Sequence, residues 1–256
     1  MSVELNGHAG AVAALADILA FDVDLPAGWY PLPLDRSAQA DAWAADLAER
    51  LASGAAAGAA AGTAGSEAGR WLRDELAAVQ LRLRALDDDY LTAAVFIPAP
   101  ESGRASCVLG FKAIAVAEVG SPAEFQAALE HDAVVQVPGR RVRDVLAWNG
   151  DTDLGPLVGA NNLIEHRNPG DAEGVLEERT IFGVYPVGAA QMVQFIFSTH
   201  DLAAFENMSQ QTQDLAQTLR VTLSPPVTLS PPVTLSPPVT LSPPVALGPP
   251  ATKEHP

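Results

Sequence analysis

Two apolar runs in the second half of the chain, residues 180–187 and 192–197, constrain the fold most strongly. Each run has the length of a β-strand, and neither is long enough for a buried helix. Gly188 lies between them, where a hairpin needs a turn. A helical pattern follows over residues 201–220. We therefore predict a β-hairpin whose second strand leads into a long helix.

The N-terminal part of the chain mixes helical and strand patterns. Residues 1–20 favour a short helix, and residues 21–25 alternate between apolar and polar side chains, which is typical of a half-buried strand. Residues 29–34 contain two prolines, so we expect an edge strand or an extended arm. Helices are predicted over residues 37–51, with Ser37 as the N-cap, and over residues 66–86.

An alanine and glycine tract, residues 53–65, separates these two helices. Glycines four residues apart also occur where membrane helices pack closely. Asp46, Glu49 and Arg50 precede the tract, and their charges oppose a bilayer location. We therefore interpret residues 53–65 as a flexible linker.

The middle of the chain is dominated by strand patterns. Ser121 and Glu124 frame the start of a short helix, with Pro122 at its first position. Residues 149–173 are rich in turn formers and give no assignable element. The predicted strands cover residues 90–97, 104–119, 134–137 and 141–148.

This succession predicts an α+β domain over residues 21–220, with a mainly antiparallel sheet and helices packed on it. Residues 221–256 form a separate tail that repeats the motif Val-Thr-Leu-Ser-Pro-Pro. Two prolines in every six residues exclude a helix or a central strand. We expect this proline-rich C-terminal tail to be extended or disordered.

Composition narrows the classes of partner and the expected location. The net charge is −16, so we expect no nucleic-acid partner, and no uncharged apolar run is long enough to predict a membrane span. Cys107 is the only cysteine, which excludes an intrachain disulfide and fits a reducing compartment. The apolar run at residues 9–20 follows no Lys or Arg, unlike a signal peptide. We expect a cytoplasmic protein.

No motif for nucleophilic, phosphate-binding or metal chemistry occurs in the sequence, and we expect no cofactor and no metal. Cys107 or Ser106 with a histidine is the sharpest catalytic hypothesis, but a cysteine within an apolar strand usually serves packing. His200 and Asp201 follow a strand, yet Ser198 and Asp201 have the spacing of a helix N-cap. The acidic triplet at residues 87–89 favours a solvated turn over a cation site.

The best binding candidate is a predicted loop over residues 148–167. Loops carry binding residues more often than the elements that they connect, and Trp, Asn and Arg suit recognition. Asn and Asp are also ordinary turn formers, which is the alternative interpretation. The candidate binding residues are Trp148, Asn149, Asp151, Asp153, Asn161, Asn162, His166 and Arg167.

Two stretches carry a resemblance to a known family. Residues 21–29 read Phe-Asp-Val-Asp-Leu-Pro-Ala-Gly-Trp, and residues 191–197 are followed by a helical pattern that ends in Gln-Thr-Leu-Arg at residue 220. These stretches resemble the beginning and the end of PsbP-like proteins. The resemblance implies a central antiparallel sheet between helices over residues 20–220, and a binding or assembly role without catalytic residues. The helical insertion at residues 37–86 departs from that pattern.

Three functions follow from these observations as hypotheses. The first is a non-enzymatic module that recognises a protein partner, for example in secretion or assembly. The second is a small-molecule enzyme, such as a hydrolase, with its site near residues 149–167. An enclosed pocket with His166 or His200 beside a carboxylate or Cys107 would favour the enzyme. The third is a structural subunit that associates with itself.

Overall fold

The structure, a computed structural model, describes residues 15–56, 63–135, 137–167 and 173–225. The chain divides into two units, residues 1–226 and 227–256, and the described residues all belong to the first. The predictions for residues 1–14 and for the repeats after residue 225 therefore lie outside the described residues.

The predicted α+β class with a mainly antiparallel sheet is confirmed. The described part of the chain forms these elements in order: β1 (Ile18–Asp22), β2 (Trp29–Leu32), α1 (Ala38–Ala56), α2 (Thr63–Arg84), β3 (Thr92–Phe96), a short 3-10 helix (Pro100–Ser102), β4 (Cys107–Ala115), α3 (Val116–Val119), α4 (Pro122–Val134), β5 (Arg140–Thr152), β6 (Gly155–His166), β7 (Val175–Val184), β8 (Gln191–Thr199), α5 (Met208–Ala216) and β9 (Arg220–Leu223).

Seven strands make one sheet in the order β2-β3-β4-β8-β7-β6-β5, and every neighbouring pair is antiparallel. The predicted hairpin is present as β7 and β8 near the middle of this sheet. β2, with its proline at residue 31, lies at one edge as predicted, because proline cannot donate to a ladder. β1 and β9 form a separate two-stranded antiparallel sheet.

The large sheet has an α5 face and an α4 face. On the α5 face, Phe182 and Phe195 are fully buried with Met208 and Leu215 of α5. On the α4 face, Phe125 of α4 packs with residues of β6 and β8. α1 and α2 cover the β3 end, where their leucines pack on β-strand side chains in a second cluster. Burial of large apolar side chains on both faces is the dominant stabilising effect here.

Helix caps follow the predicted chemistry at two sites. Ser37 Oγ accepts a hydrogen bond from the Ala40 amide at 3.1 Å before α1. Ser121 and Glu124 form a reciprocal capping box at the start of α4. Each cap satisfies amide groups that the first turn leaves unpaired.

Several predicted boundaries are wrong. Residues 18–20 are strand, because β1 pairs with β9, and β1 ends at Asp22. Residues 53–56 and 63–65 of the predicted linker are helical, in keeping with the high helix propensity of alanine, and residues 57–62 lie outside the described residues. Residues 116–119 form α3, and Val134 ends α4 rather than starting a strand.

The long helix predicted over residues 201–220 is much shorter. α5 begins after Asn207, whose side chain accepts a hydrogen bond from the Gln210 amide at 3.0 Å. Ser198 is therefore not the N-cap, and its hydroxyl donates to Glu177 instead. β9 starts at Arg220 and includes the Val-Thr-Leu of the first repeat, because those residues pair with β1.

Candidate functional site

The predicted loop over residues 148–167 is a β-hairpin. β5 and β6 pair from Arg140 opposite His166 to Thr152 opposite Gly155, with one bulge between Val142 and Asp144. β6 has 12 residues, which at about 3.4 Å each span roughly 40 Å. The eight candidate residues are therefore spread along this length and on both faces, and they do not form one site.

Near the hairpin turn, two of these residues attach the strands to helices. Trp148 Nε1 donates to Gln213 Oε1 of α5 at 2.9 Å. Asn149 Nδ2 donates to Gln126 Oε1 of α4 at 2.6 Å, on the opposite face. Asp151 and Asp153 are exposed at the turn. The first two side chains therefore have structural partners within the fold.

Asn161 and Asn162 lie in the middle of β6 and point to opposite faces. Asn161 Nδ2 donates to Glu178 Oε1 at 2.9 Å and to Thr180 Oγ1 at 3.1 Å. Asn162 is buried, and its Oδ1 has no hydrogen-bond partner among the described residues. The two adjacent amides therefore belong to different environments.

His166 lies at the far end of β6 beside a buried carboxylate. His166 Nε2 is 2.5 Å from Oε2 of Glu177, which is only 3% exposed. Arg179 also contacts both oxygens of Glu177, at 2.8 Å from Nε and 3.0 Å from Nη2. Ser198 Oγ donates to Oε1 at 2.7 Å. Burial alone would raise the pKa of Glu177, but Ser198, Arg179 and His166 outweigh it and lower that pKa.

Arg167 lies on the opposite face and contacts a second buried carboxylate. Arg167 Nη2 donates to Glu165 Oε1 at 2.8 Å, and Arg143 Nη2 is 2.5 Å from Oε2. Burial acts to raise the pKa of Glu165, but the two guanidinium groups outweigh it and hold that pKa below its ordinary value. One carboxylate therefore lies between two arginines.

These groups line an open cleft of about 480 Å³, which we call the arginine cleft. Arg141 is exposed there, and Arg140 Nε has no hydrogen-bond partner within the described residues. Among the described residues of the lining, Glu165 is the one acidic group, so positive charge is in excess there. The arginine cleft is lined by Val137, Pro138, Gly139, Arg140, Arg141, Arg143, Glu165 and Arg167.

Sequence reasoning selected Arg167 but missed the other three arginines and Glu165. The signal was present, because Arg140, Arg141 and Arg143 lie within four consecutive positions. Their proximity to Glu165 depends on the β5–β6 register, which places Arg141 opposite Glu165, and Arg143 forms the ion pair.

Another cleft, of about 910 Å³, lies along α1 and includes none of the candidate binding residues. Its wall carries three carboxylates, Asp35, Asp46 and Glu49, against one arginine, Arg50, so negative charge is in excess there. It therefore lacks the excess of positive charge that distinguishes the arginine cleft.

The catalytic hypotheses find little support in the geometry. Cys107 is buried, and burial raises the pKa of its thiol to about 12, which suppresses the reactive thiolate. Ser106 Oγ donates to Asp201 Oδ2 at 3.2 Å. Ser198 donates to Glu177 and not to a histidine, so the serine–histidine hydrogen bond of a nucleophilic site does not form there.

The two histidines named with the enzyme hypothesis are neighbours. The rings of His166 and His200 are 6.3 Å apart between centroids. His200 Nδ1 is 3.0 Å from the Leu176 carbonyl oxygen. His166 does have the carboxylate that the hypothesis requires, but neither ring lines the arginine cleft or the cleft along α1. The histidine pair therefore lies outside both clefts.

The acidic triplet behaves as the turn that was predicted. Asp88 accepts hydrogen bonds from Lys112 Nζ at 2.6 Å and from the Tyr90 amide at 3.1 Å. Asp87 lies 3.4 Å from an Arg36 nitrogen. Among the described residues, no group of three or more His, Cys, Asp or Glu side chains is arranged to hold a metal ion.

No helix within the described ranges is long and apolar enough to cross a membrane. A comparison with models of protein families finds none that matches this chain. A search of curated proteins likewise finds no matching relative.

Proposed function

We propose that this protein is a non-enzymatic interaction module that binds an acidic segment of a partner protein in the arginine cleft. The observation that carries this proposal is the grouping of four arginines at one end of the β5–β6 hairpin. They are a large share of the 15 basic residues in a chain with net charge −16. Such a local concentration of guanidinium groups binds carboxylate or phosphate groups specifically.

The arginines of the cleft differ in whether they already have a partner, and this difference supports recognition of an acidic segment. Arg143 and Arg167 form ion pairs with Glu165, and these ion pairs hold the three side chains in place in the cleft. Arg141 is exposed, so its guanidinium group has donors to offer to a partner. Arginine donates in a planar fork that matches a carboxylate with two parallel hydrogen bonds.

A short acidic segment fits this surface better than a long polyanion. Outside the cleft the chain is strongly acidic, so an extended nucleic acid would be repelled on both sides of the binding point. A cluster of acidic side chains in a protein is short enough to bind within the cleft alone. We further propose a cytoplasmic location and a PsbP-like relationship, for which the single reduced cysteine and the antiparallel sheet between helices are the supporting observations.

The test is the affinity of the full chain for a fluorescent oligoglutamate peptide, measured by anisotropy. Arg141→Glu should weaken binding at least about tenfold, because it replaces a free donor by a like charge. Arg70→Glu is the matched control, since Arg70 is exposed on α2 and the net charge changes equally. Affinity should fall as salt is raised.

Equal affinities of Arg141→Glu and Arg70→Glu would overturn the proposal. Stronger binding of single-stranded DNA than of the acidic peptide would also overturn it, because the partner would then belong to another class. A phosphorylated peptide of the same length distinguishes phosphate from carboxylate as the preferred anion, and preference for either one supports the proposal.

A further inference from the structure

The outer edge of β5 adjoins the arginine cleft. β5 is the last strand of the sheet, and in the described part of the chain it pairs with β6 alone. It has 13 residues, which is long for an edge strand. The backbone donors and acceptors that point away from β6 can pair with another extended chain.

The ladder shows which residues of β5 present their backbone outward. The Arg167 amide donates to the Gly139 carbonyl at 2.8 Å, so these two residues bond across the ladder. Hydrogen-bonded and non-hydrogen-bonded pairs alternate in an antiparallel ladder, so the backbone of Arg141 also faces β6, and that of Val142 faces outward. The bulge that follows shifts this alternation by one residue, and beyond it the backbone of Val145 faces outward.

The Val145 amide is used in a way that agrees with this direction. It donates to the side chain of its own neighbour, Asp144 Oδ1, at 3.0 Å. Asp144 is exposed, so this local hydrogen bond can be exchanged for one to the carbonyl of an added strand. The edge is therefore competent to pair, with one carboxylate that competes for its donor.

The α5 face of β5 changes from basic to apolar along the strand. Arg141 lies opposite Glu165, and Trp148, which contacts α5, lies opposite Gly159. Glu165 and Gly159 are an even number of residues apart on β6, so Arg141 and Trp148 share the α5 face. Leu146 lies between them on the same face and is 63% exposed.

We propose that the acidic segment of the partner binds as an additional antiparallel strand on the outer edge of β5. This inference rests on the proposed function of the arginine cleft and defines how the segment is held. Charge complementarity argues for this occupant, because an acidic side chain beside Arg141 lies on the face that carries Glu165 and the cleft. An apolar side chain four residues earlier in the segment covers Leu146.

The position between these two contacts is less selective for charge. It faces the bulge, where the exposed side chains of Arg143 and Asp144 have opposite signs. Arg143 is also paired with Glu165 already. Preference for an acidic residue should therefore come mainly from the position beside Arg141, whose guanidinium group can donate two parallel hydrogen bonds to a carboxylate.

N-methylated peptides test the strand pairing with the full chain. The probe is a fluorescent peptide with blocked ends, Thr-Leu-Thr-Glu-Thr-Glu-Thr, whose leucine and glutamates share one face of a strand. Its side chains beside Arg141 and Leu146 belong to non-hydrogen-bonded pairs, so the threonine amides donate to β5 and the glutamate amides point away.

The two methylation patterns should differ in affinity, measured by anisotropy. Methylation of the third and fifth residues should weaken binding at least about tenfold, because two hydrogen bonds to β5 are lost. Methylation of the fourth and sixth residues is the matched control and should change affinity less than about twofold, since those amides face solvent.

Substitution of single glutamates locates the charge contact. Glutamine in place of the sixth residue, beside Arg141, should weaken binding about fivefold. The same change at the fourth residue should have less than half that effect, because Asp144 offsets Arg143 there. Asp144→Ala in the protein should strengthen binding of the unmodified probe, because it frees the Val145 amide and removes a like charge.

Equal affinities of the two methylated peptides, or failure of the probe to bind where oligoglutamate does, overturn strand addition. The proposed function survives either result if Arg141→Glu still weakens oligoglutamate binding. If neither peptide binds, both proposals fall. A dimer mass in light scattering that Leu146→Asp and the probe each abolish would assign the edge to a second copy, and this occupant would then be wrong.

Discussion

Trp148 on β5 occupies the space above Gly159 on β6. The two residues are directly opposed in the ladder, and a Cβ atom at residue 159 would lie 2.4 Å from Trp148 Cε2. The indole also packs edge-on against Phe182, with ring centroids 5.7 Å apart. Glycine at residue 159 is therefore required by the close approach of the ring.

Gly159→Ala should destabilise the fold by about 1–3 kcal/mol, because the indole must move from a well-packed position. Gly150→Ala is the matched control on β5, since its nearest contact would be Leu157 Cδ2 at an ordinary 3.9 Å. The control should be close to neutral. Urea unfolding measures both, and equal effects of the two substitutions would contradict the steric account.

Glu177→Gln should destabilise the protein by about 3 kcal/mol at neutral pH, because it removes the charge that satisfies buried donors. Arg179, His166 and Ser198 all contact that carboxylate. Ser198→Ala removes only one of these hydrogen bonds and should cost about 1 kcal/mol. Urea unfolding of both variants is the measurement, and a smaller loss for Glu177→Gln than for Ser198→Ala would count against it.

The stability contributed by Glu177 should depend on pH in one direction. Its folded pKa is lower than the ordinary value of 4.5, so the contribution is present above that pH. The contribution is lost as the pH falls through the folded pKa and the carboxylate becomes protonated. The gap in unfolding free energy between the unmodified chain and Glu177→Gln should therefore be constant above about pH 5 and should narrow in acid. A gap that widens in acid would refute this sign.

Gln80→Leu should destabilise the helical layer over β2 and β3. Gln80 is 4% exposed, and its Nε2 donates to the Pro33 carbonyl at 2.7 Å and to the Ala40 carbonyl at 2.9 Å. Loss of the amide leaves two carbonyls without this donor, at a cost of about 1–3 kcal/mol. Gln210→Leu on the exposed side of α5 is the control and should change stability by less than about 0.5 kcal/mol in thermal or urea unfolding.

The thiol of Cys107 should be unreactive in the folded protein. It is 1% exposed, and burial raises its pKa to about 12. A chromogenic disulfide reagent at neutral pH should label it only as fast as the protein opens, and should label it at once in denaturant. Rapid labelling of the native chain would show that the strand around Cys107 is accessible.

Local sequence signals identified the elements whose chemistry is itself local. The two apolar runs around Gly188 became β7 and β8, and the caps at Ser37 and Ser121 form as expected. The two prolines in residues 29–34 predicted an edge strand because proline has no backbone N–H to donate. No tertiary contact can replace that donor.

The strand predicted over residues 141–148 is the first part of β5, but the rest of the β5–β6 hairpin was missed because its turn-forming residues acquire partners only in the folded sheet. Asn149 reaches Gln126, and Asn161 reaches Glu178 and Thr180. These contacts join residues at least 17 positions apart, so no local pattern could reveal them. The same is true of Glu165, whose neighbours are set by the ladder register and not by their order in the chain.

The pairing of β1 with β9 has a consequence for how the chain is made. Ile18 lies opposite Leu223, so this small sheet joins the most distant parts of the described chain. A nascent chain on the ribosome has already exposed the apolar side chains of β1 long before its partner strand exists. Phe21 packs on Phe111. Its strand, β1, has no pairing partner until synthesis has passed residue 223, so the core around Phe21 stays incomplete until then. Completion of the fold is thus a late event, and chains truncated before β9 should depend on chaperones.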